Sequence, residues 1–144
     1  MDDGIESLLN GQQFKRFQEK FWGSVTAQYS LSVLDVRILL FLDAHKCLDT
    51  ARDIVKVHHW TKSHVSKAIE ELIERGYLQR QIDARDRRKV HLIVQPTAEP
   101  VLEQIRAEYQ RMNQILLTGI SEEELNVVAQ VARKISDNIA SCMK

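Results

Sequence analysis

Glycine and proline are scarce in this sequence, at five and two among 144 residues. No repeat or low-complexity segment occurs, so collagen-like and linker-type chains are excluded. Cysteine is nearly absent too. Cys47 and Cys142 are too far apart for a metal-type spacing and are expected to be free thiols in a reducing compartment. The longest apolar run, Ile38 to Leu42, is far short of the roughly 20 residues that cross a bilayer. The acidic start, Met1-Asp-Asp-Gly, is followed by no apolar run, so no signal peptide is expected and the protein is placed in the cytoplasm. Net charge is also missing, because 20 basic residues balance 20 acidic ones.

The balance is uneven along the chain. Between His45 and His91 there are eleven Lys or Arg and seven Asp or Glu, a local +4, which leaves −4 for the rest. A basic middle between acidic ends suits a polyanionic partner. An apolar fraction of 44% is enough for a sizeable core and excludes disorder.

Helical periodicity dominates. The first pattern runs from about Ile5 to Tyr29, with Phe14, Phe17, Phe21, Val25 and Tyr29 at helical spacing. Leu8, Leu9 and Trp22 broaden that stripe beyond what one packing face needs. Ser32 with Asp35 predicts a capping box for a second helix, whose core side is Leu34, Ile38, Phe41 and Leu42. Thr50 with Asp53 starts a short third helix, which His58-His59-Trp60 ends. Thr61 is the expected N-cap of the next helix, Lys62 to Arg75, with a core face of Val65, Ile69, Leu72 and Ile73. Gly76 supplies its left-handed stop.

Beyond Gly76 the period drops to two. Tyr77 to Ile82 and Val90 to Val94 read as strands, joined by Asp83-Ala84-Arg85-Asp86-Arg87-Arg88 into a hairpin. Pro96 ends the second strand. Thr97 is expected to open a long helix to about Leu117, and Gly119 to break it. Ser121 with Glu124 forms a second capping box. In the last helix, Leu125, Val128, Ala132, Ile135, Ile139 and Cys142 alternate steps of three and four, as an a/d seam does. Two long terminal helices with broad apolar stripes predict an inter-chain bundle. The expected class is mainly α with a small β-hairpin (α+β). Its parts are an N-terminal dimerisation helix over 1–31, a winged helix-turn-helix over 32–96, and C-terminal helices over 97–144 that complete the dimer.

The functional candidates follow from that order. The second helix of a helix-turn-helix can enter a major groove with its N-terminus leading. Here its outward side chains are Thr61, Lys62, Ser63, His64, Ser66 and Lys67, short hydrogen-bonding groups and cations that reach base edges and phosphates. The hairpin tip carries Arg85, Arg87, Arg88 and Lys89. Four cations so close repel one another, and a duplex backbone would offset that cost. A narrow minor groove would also attract an arginine from the tip. Asp83 and Asp86 are expected to structure the wing by bidentate pairing with neighbouring guanidiniums.

These motifs resemble the MarR-type family of winged helix-turn-helix regulators. The resemblance rests on Val65-Ser66-Lys67, Leu72-Ile73-Glu74-Arg75-Gly76-Tyr77-Leu78 and Asp83-Ala84-Arg85-Asp86-Arg87-Arg88, and the helical layout extends it over nearly the whole chain. It implies a homodimer on a pseudo-palindromic operator in duplex DNA. It also implies that the terminal helices make the dimer, Arg85 enters the minor groove and the Thr61 helix reads the major groove. Such regulators are often repressors released by a small aromatic or anionic effector bound between the dimer helices and the reading lobe. Two stretches depart from the pattern. His58-His59-Trp60 replaces a common Leu-Gly-Leu, and Pro96-Thr97-Ala98-Glu99-Pro100 replaces Leu-Thr-x-x-Gly.

Other readings of single residues are weaker. Trp22, Tyr29, Phe41 and Met112 are candidates to line an effector pocket, although apolar residues at helical spacing more often fill a core. His58, His59 and His64 lack the carboxylates or cysteines of a metal site, so neither metal nor cofactor is expected. Cys47, beside His45 and Lys46, would make a redox-responsive regulator if its thiol were activated; a small loop residue is the plainer account. No nucleophile, phosphate-loop or acid/base motif suggests an enzyme. A winged helix used only for protein contact is the remaining rival, and it has no need of a cationic tip.

Overall fold

The computed structural model describes residues 11–58 and 60–144. Ile5, Leu8, Leu9 and the turn residue His59 lie outside the described residues. Helix α1 spans Gln12–Tyr29, α2 Val33–Ala44, α3 Ala51–His58 and α4 Lys62–Glu74. Strands β1, Leu78–Ile82, and β2, Val90–Val94, pair antiparallel with Leu78 opposite Val94 and Ile82 opposite Val90. A 3-10 turn at Pro96–Ala98 leads into α5, Glu99–Leu116, and α6 covers Glu122–Cys142. No single helix among the described residues is long and apolar enough to cross a membrane.

The chain forms two compact units. One is Phe21–Tyr109; the other joins the described residues before Phe21 to Gln110–Lys144. The division between them falls inside α1 and α5. The end of α1 and the start of α5 therefore serve the central unit, where Trp22, Val25, Val101, Leu102 and Ile105 are all buried.

Local signals place the helices of the central unit. The Ser32 N–H donates to Asp35 Oδ2 (2.9 Å), and the Asp35 N–H donates to Ser32 Oγ (3.0 Å), so the expected capping box is made. Ser32→Ala should cost about 0.5–2 kcal/mol of stability in a urea titration, the usual worth of such a cap. Val36, Ile38, Leu39, Phe41 and Leu42 are buried on α2. Leu34, expected with them, is only half-buried. At the start of α3, the Thr50 N–H and hydroxyl donate to Asp53 Oδ2 at 3.2 and 2.8 Å. Helix α4 buries Val65, Ala68, Ile69 and Leu72, and Ile73 is half-buried.

Two ends are finished by special conformations. Gly76 has φ +77°, the left-handed stop that a Cβ would strain. Ser30 has φ +53° without being glycine. There Arg75, just past α4, donates from Nη1 to the Tyr29 carbonyl (2.7 Å) and from Nη2 to that of Ser30. One guanidinium thus satisfies orphan carbonyls at the end of α1.

The long helix does not open at Thr97. Its α-helical part begins at Glu99, and Pro96-Thr97-Ala98 forms the 3-10 turn. Pro100 explains the shift, because proline lacks an N–H and is tolerated only in a helix's first turn. Thr97 Oγ1 instead donates to the Gly76 carbonyl (2.9 Å).

In the other unit, Ser121 and Glu124 form the expected capping box of α6, at 2.8 and 3.1 Å. No residue of α6 is buried. Val127, Val131, Ile135 and Ile139 are 57, 48, 50 and 59% exposed.

Candidate nucleic-acid interface

Helix α4 is two-sided. Val65, Ala68, Ile69 and Leu72 face the core, whereas Thr61, Lys62, Ser63, His64, Ser66 and Lys67 are all exposed. The two sets interleave at helical spacing, so burying one presents the other to solvent. Thr61 has the extended backbone of an N-cap, but its side chain makes no capping bond. Its hydroxyl lies 2.7 Å from His64 Nδ1 instead. The first N–H groups of α4 therefore keep their capacity for an acceptor such as a phosphate oxygen.

An aromatic stack stands at the base of this helix. The His58 ring stacks on Trp60 at 4.2 Å, the Arg37 guanidinium lies over Trp60 at 4.7 Å, and Phe41 meets His58 edge-on at 5.1 Å. Flat rings and a cation–π contact occupy the segment that departs from the family pattern.

The wing is built differently from expectation. Asp83 Oδ1 accepts from the Arg85 N–H (2.8 Å) and the Asp86 N–H (2.9 Å). Asp86 Oδ1 accepts from the Arg88 N–H at 3.0 Å, and Arg88 Nε lies 3.5 Å from it. The carboxylates thus hold the turn through backbone donors rather than by bidentate guanidinium pairing. Donors two or three residues along are already in place, whereas an arginine must give up rotamer freedom to reach back. As a result, Arg85 and Arg87 form no ion pair among the described residues, and Arg85, Arg87, Arg88 and Lys89 are all exposed.

A further pair of residues, His91 and Asp49, supports the wing, and sequence reasoning missed both. His91 on β2 has Nδ1 2.7 Å from Asp49 Oδ1 and Nε2 2.7 Å from Asp83 Oδ2. The bond from His91, with those from the Asp86 and Arg85 N–H groups, pulls the Asp83 carboxyl down to about 2. Asp49 first, and Asp83 second, hold His91 above its ordinary pKa. Asp49 and His91 are 42 positions apart, so no local spacing could reveal them.

Trp22, Phe41 and Met112 are buried, and Tyr29 is half-buried; three of the four suggested effector-lining residues are thus core. Cys47 is exposed, and so is Cys142, expected to pack in a seam. No group of three His, Cys, Asp or Glu among the described residues could hold a metal.

Known proteins share this arrangement. A model described as MarR family matches residues 29–89. The uncharacterized HTH-type transcriptional regulator YwaE of Bacillus subtilis (strain 168) is 26% identical over 125 residues, covering 87% of this chain and 72% of its own. The solved structure of transcriptional regulator PA3341 matches with a TM-score of 0.77 at 24% identity, over 95% of this chain and 98% of its own. MepR of S. aureus, solved as a DNA complex, matches at 0.59 and 21% identity, over 91% of this chain and 96% of its own. Residues 29–89 thus match a MarR family model, and the winged helix-turn-helix fold is shared with the structure of PA3341 along nearly the whole chain.

Proposed function

We propose that the protein is a homodimeric repressor that binds a pseudo-palindromic operator in duplex DNA. In this reading the N-terminal turn of α4 enters the major groove, with Lys62, Ser63, His64, Ser66 and Lys67 toward bases and phosphates. The wing follows the backbone, and Arg85 enters the adjacent minor groove. The observation that carries the reading is the wing. Its acidic residues are engaged by backbone N–H groups, which leaves Arg85 and Arg87 without an ion pair among the described residues. A cationic tip kept unneutralised suits a polyanion, and MepR, of the same fold, has been solved on DNA.

The dimer is supported by the uncovered apolar side of α6. Monomeric proteins seldom leave such a stripe in water. Two reading helices related by a two-fold axis would contact half-sites about 10 bp apart, one turn of the duplex.

Selection of genomic fragments bound by the purified protein tests the proposal. An enriched inverted repeat with that half-site spacing, upstream of a gene whose transcript rises when the protein is deleted, is the expected outcome. Recovery of fragments with no common sequence would contradict operator recognition, and a transcript that falls would contradict repression.

A further inference from the structure

The geometry points to His91 as a positioning residue that fixes the wing by bridging Asp83 in the wing turn to Asp49 in the loop before α3. The inference rests on the reading of the wing as a DNA anchor, because its consequence for binding passes through the wing's arginines.

The bridge is complete on both sides. Each ring nitrogen lies 2.7 Å from a carboxylate oxygen. An ionised carboxylate can only accept, so both nitrogens must donate, and only the protonated imidazole carries two N–H groups. The Asp83 carboxylate is shared: Oδ2 takes the ring, while Oδ1 takes the Arg85 and Asp86 N–H groups that shape the turn. Asp49 is anchored as well, since its carbonyl accepts from the Leu92 N–H at 2.8 Å. The imidazolium therefore joins two points, in addition to the link made through β2 by the Leu92 N–H. One is the turn that carries Arg85; the other is the loop that leads into the helix-turn-helix.

The bridge depends on protonation. The charges acting on the ring are those of Asp49, from the loop, and Asp83, from the wing turn. Its cross-strand neighbour on β1 is the uncharged Gln81. No charge on α2 or α3 is among those acting on the ring. Both carboxylates favour the imidazolium, so the bridge is complete below the raised pKa of His91 and is lost as pH rises through it. A neutral ring keeps one N–H. One carboxylate then faces a lone pair, and the wing turn loosens without unfolding, because the β1–β2 ladder and the Asp83 N–H bond to the Lys89 carbonyl do not depend on the ring.

The test follows the wing amides and duplex binding together in the full-length protein. Hydrogen-exchange protection of the Arg85 and Asp86 amides, corrected for intrinsic exchange, should fall several-fold as pH is raised across the His91 ring titration seen by NMR. In His91→Gln, whose two N–H groups sit on one nitrogen and cannot take the places of both ring nitrogens, protection should be low at every pH. Duplex affinity should drop about 10-fold at neutral pH, the size of one charge-assisted hydrogen bond. Asp49→Asn keeps an acceptor but removes a charge, so it should move the loss of protection to lower pH, a shift that plain packing would not produce. Wild-type protection and affinity in His91→Gln throughout would overturn the inference. If wild-type protein bound no duplex while wing protection still followed His91, the DNA reading would fall and the bridge would stand.

Discussion

Replacing both Ile135 and Ile139 by aspartate is expected to make the protein monomeric in light scattering and to lower operator affinity by about 10²–10⁴-fold, the range over which linked sites gain from avidity. Both side chains lie on α6, at 50 and 59% exposed, close to Val127 and Val131 in helical spacing. Covering each such side chain is worth about 1.5–3 kcal/mol at most. Two carboxylates facing their own copies in a dimer add desolvation and repulsion. The chain itself should fold as before, because neither residue is buried within it. Unchanged mass in solution would remove α6 from the proposed dimer. A monomer with unchanged operator affinity would separate dimerisation from binding.

The second large effect belongs to the wing. Arg85→Ala combined with Arg87→Ala should lower duplex affinity by about 10- to 100-fold, since a groove-reading arginine contributes roughly 1–3 kcal/mol and a phosphate-binding one less. The double variant should also flatten the salt dependence, by about one unit of log–log slope for each phosphate left unneutralised. Its thermal midpoint should not move, because neither side chain is engaged in an ion pair among the described residues. Gel-shift titration beside thermal melting separates the two properties. Full affinity in the folded double variant would take the wing out of the interface.

What the sequence revealed and what it hid divide by range. Ser32 with Asp35, Ser121 with Glu124 and the stop at Gly76 were legible because each signal is complete within four residues. The hairpin was legible from its change of period. The exposed face of α4 followed from the spacing of Val65, Ile69 and Leu72, although Thr61 turned its hydroxyl to His64 rather than to the helix N-terminus. Competition between equally near partners decides such a case, and sequence does not rank them.

Longer-range features stayed hidden. The bridge from Asp49 through His91 to Asp83 joins a loop, a strand and a turn, and it exists only once the hairpin has docked. The expectation of guanidinium pairing failed because the same aspartates have closer backbone donors. The division of the chain inside α1 and α5 was not visible either, since continuous helical periodicity carries no mark where a helix passes from one unit to the next. On α6, the a/d spacing singled out Ile135 and Ile139 but omitted Val127 and Val131, which are exposed as well.

The zero net charge, the plainest objection to a nucleic-acid partner, bears on the most direct test. If the exposed cations of α4 and the wing replace counterions on a duplex, affinity must fall steeply with salt. Operator affinity measured by fluorescence anisotropy between roughly 50 and 200 mM salt should give a log–log slope of about −4 or steeper, as at least four to five neutralised phosphates per dimer require. A slope near zero, or no binding at low salt, would contradict the account.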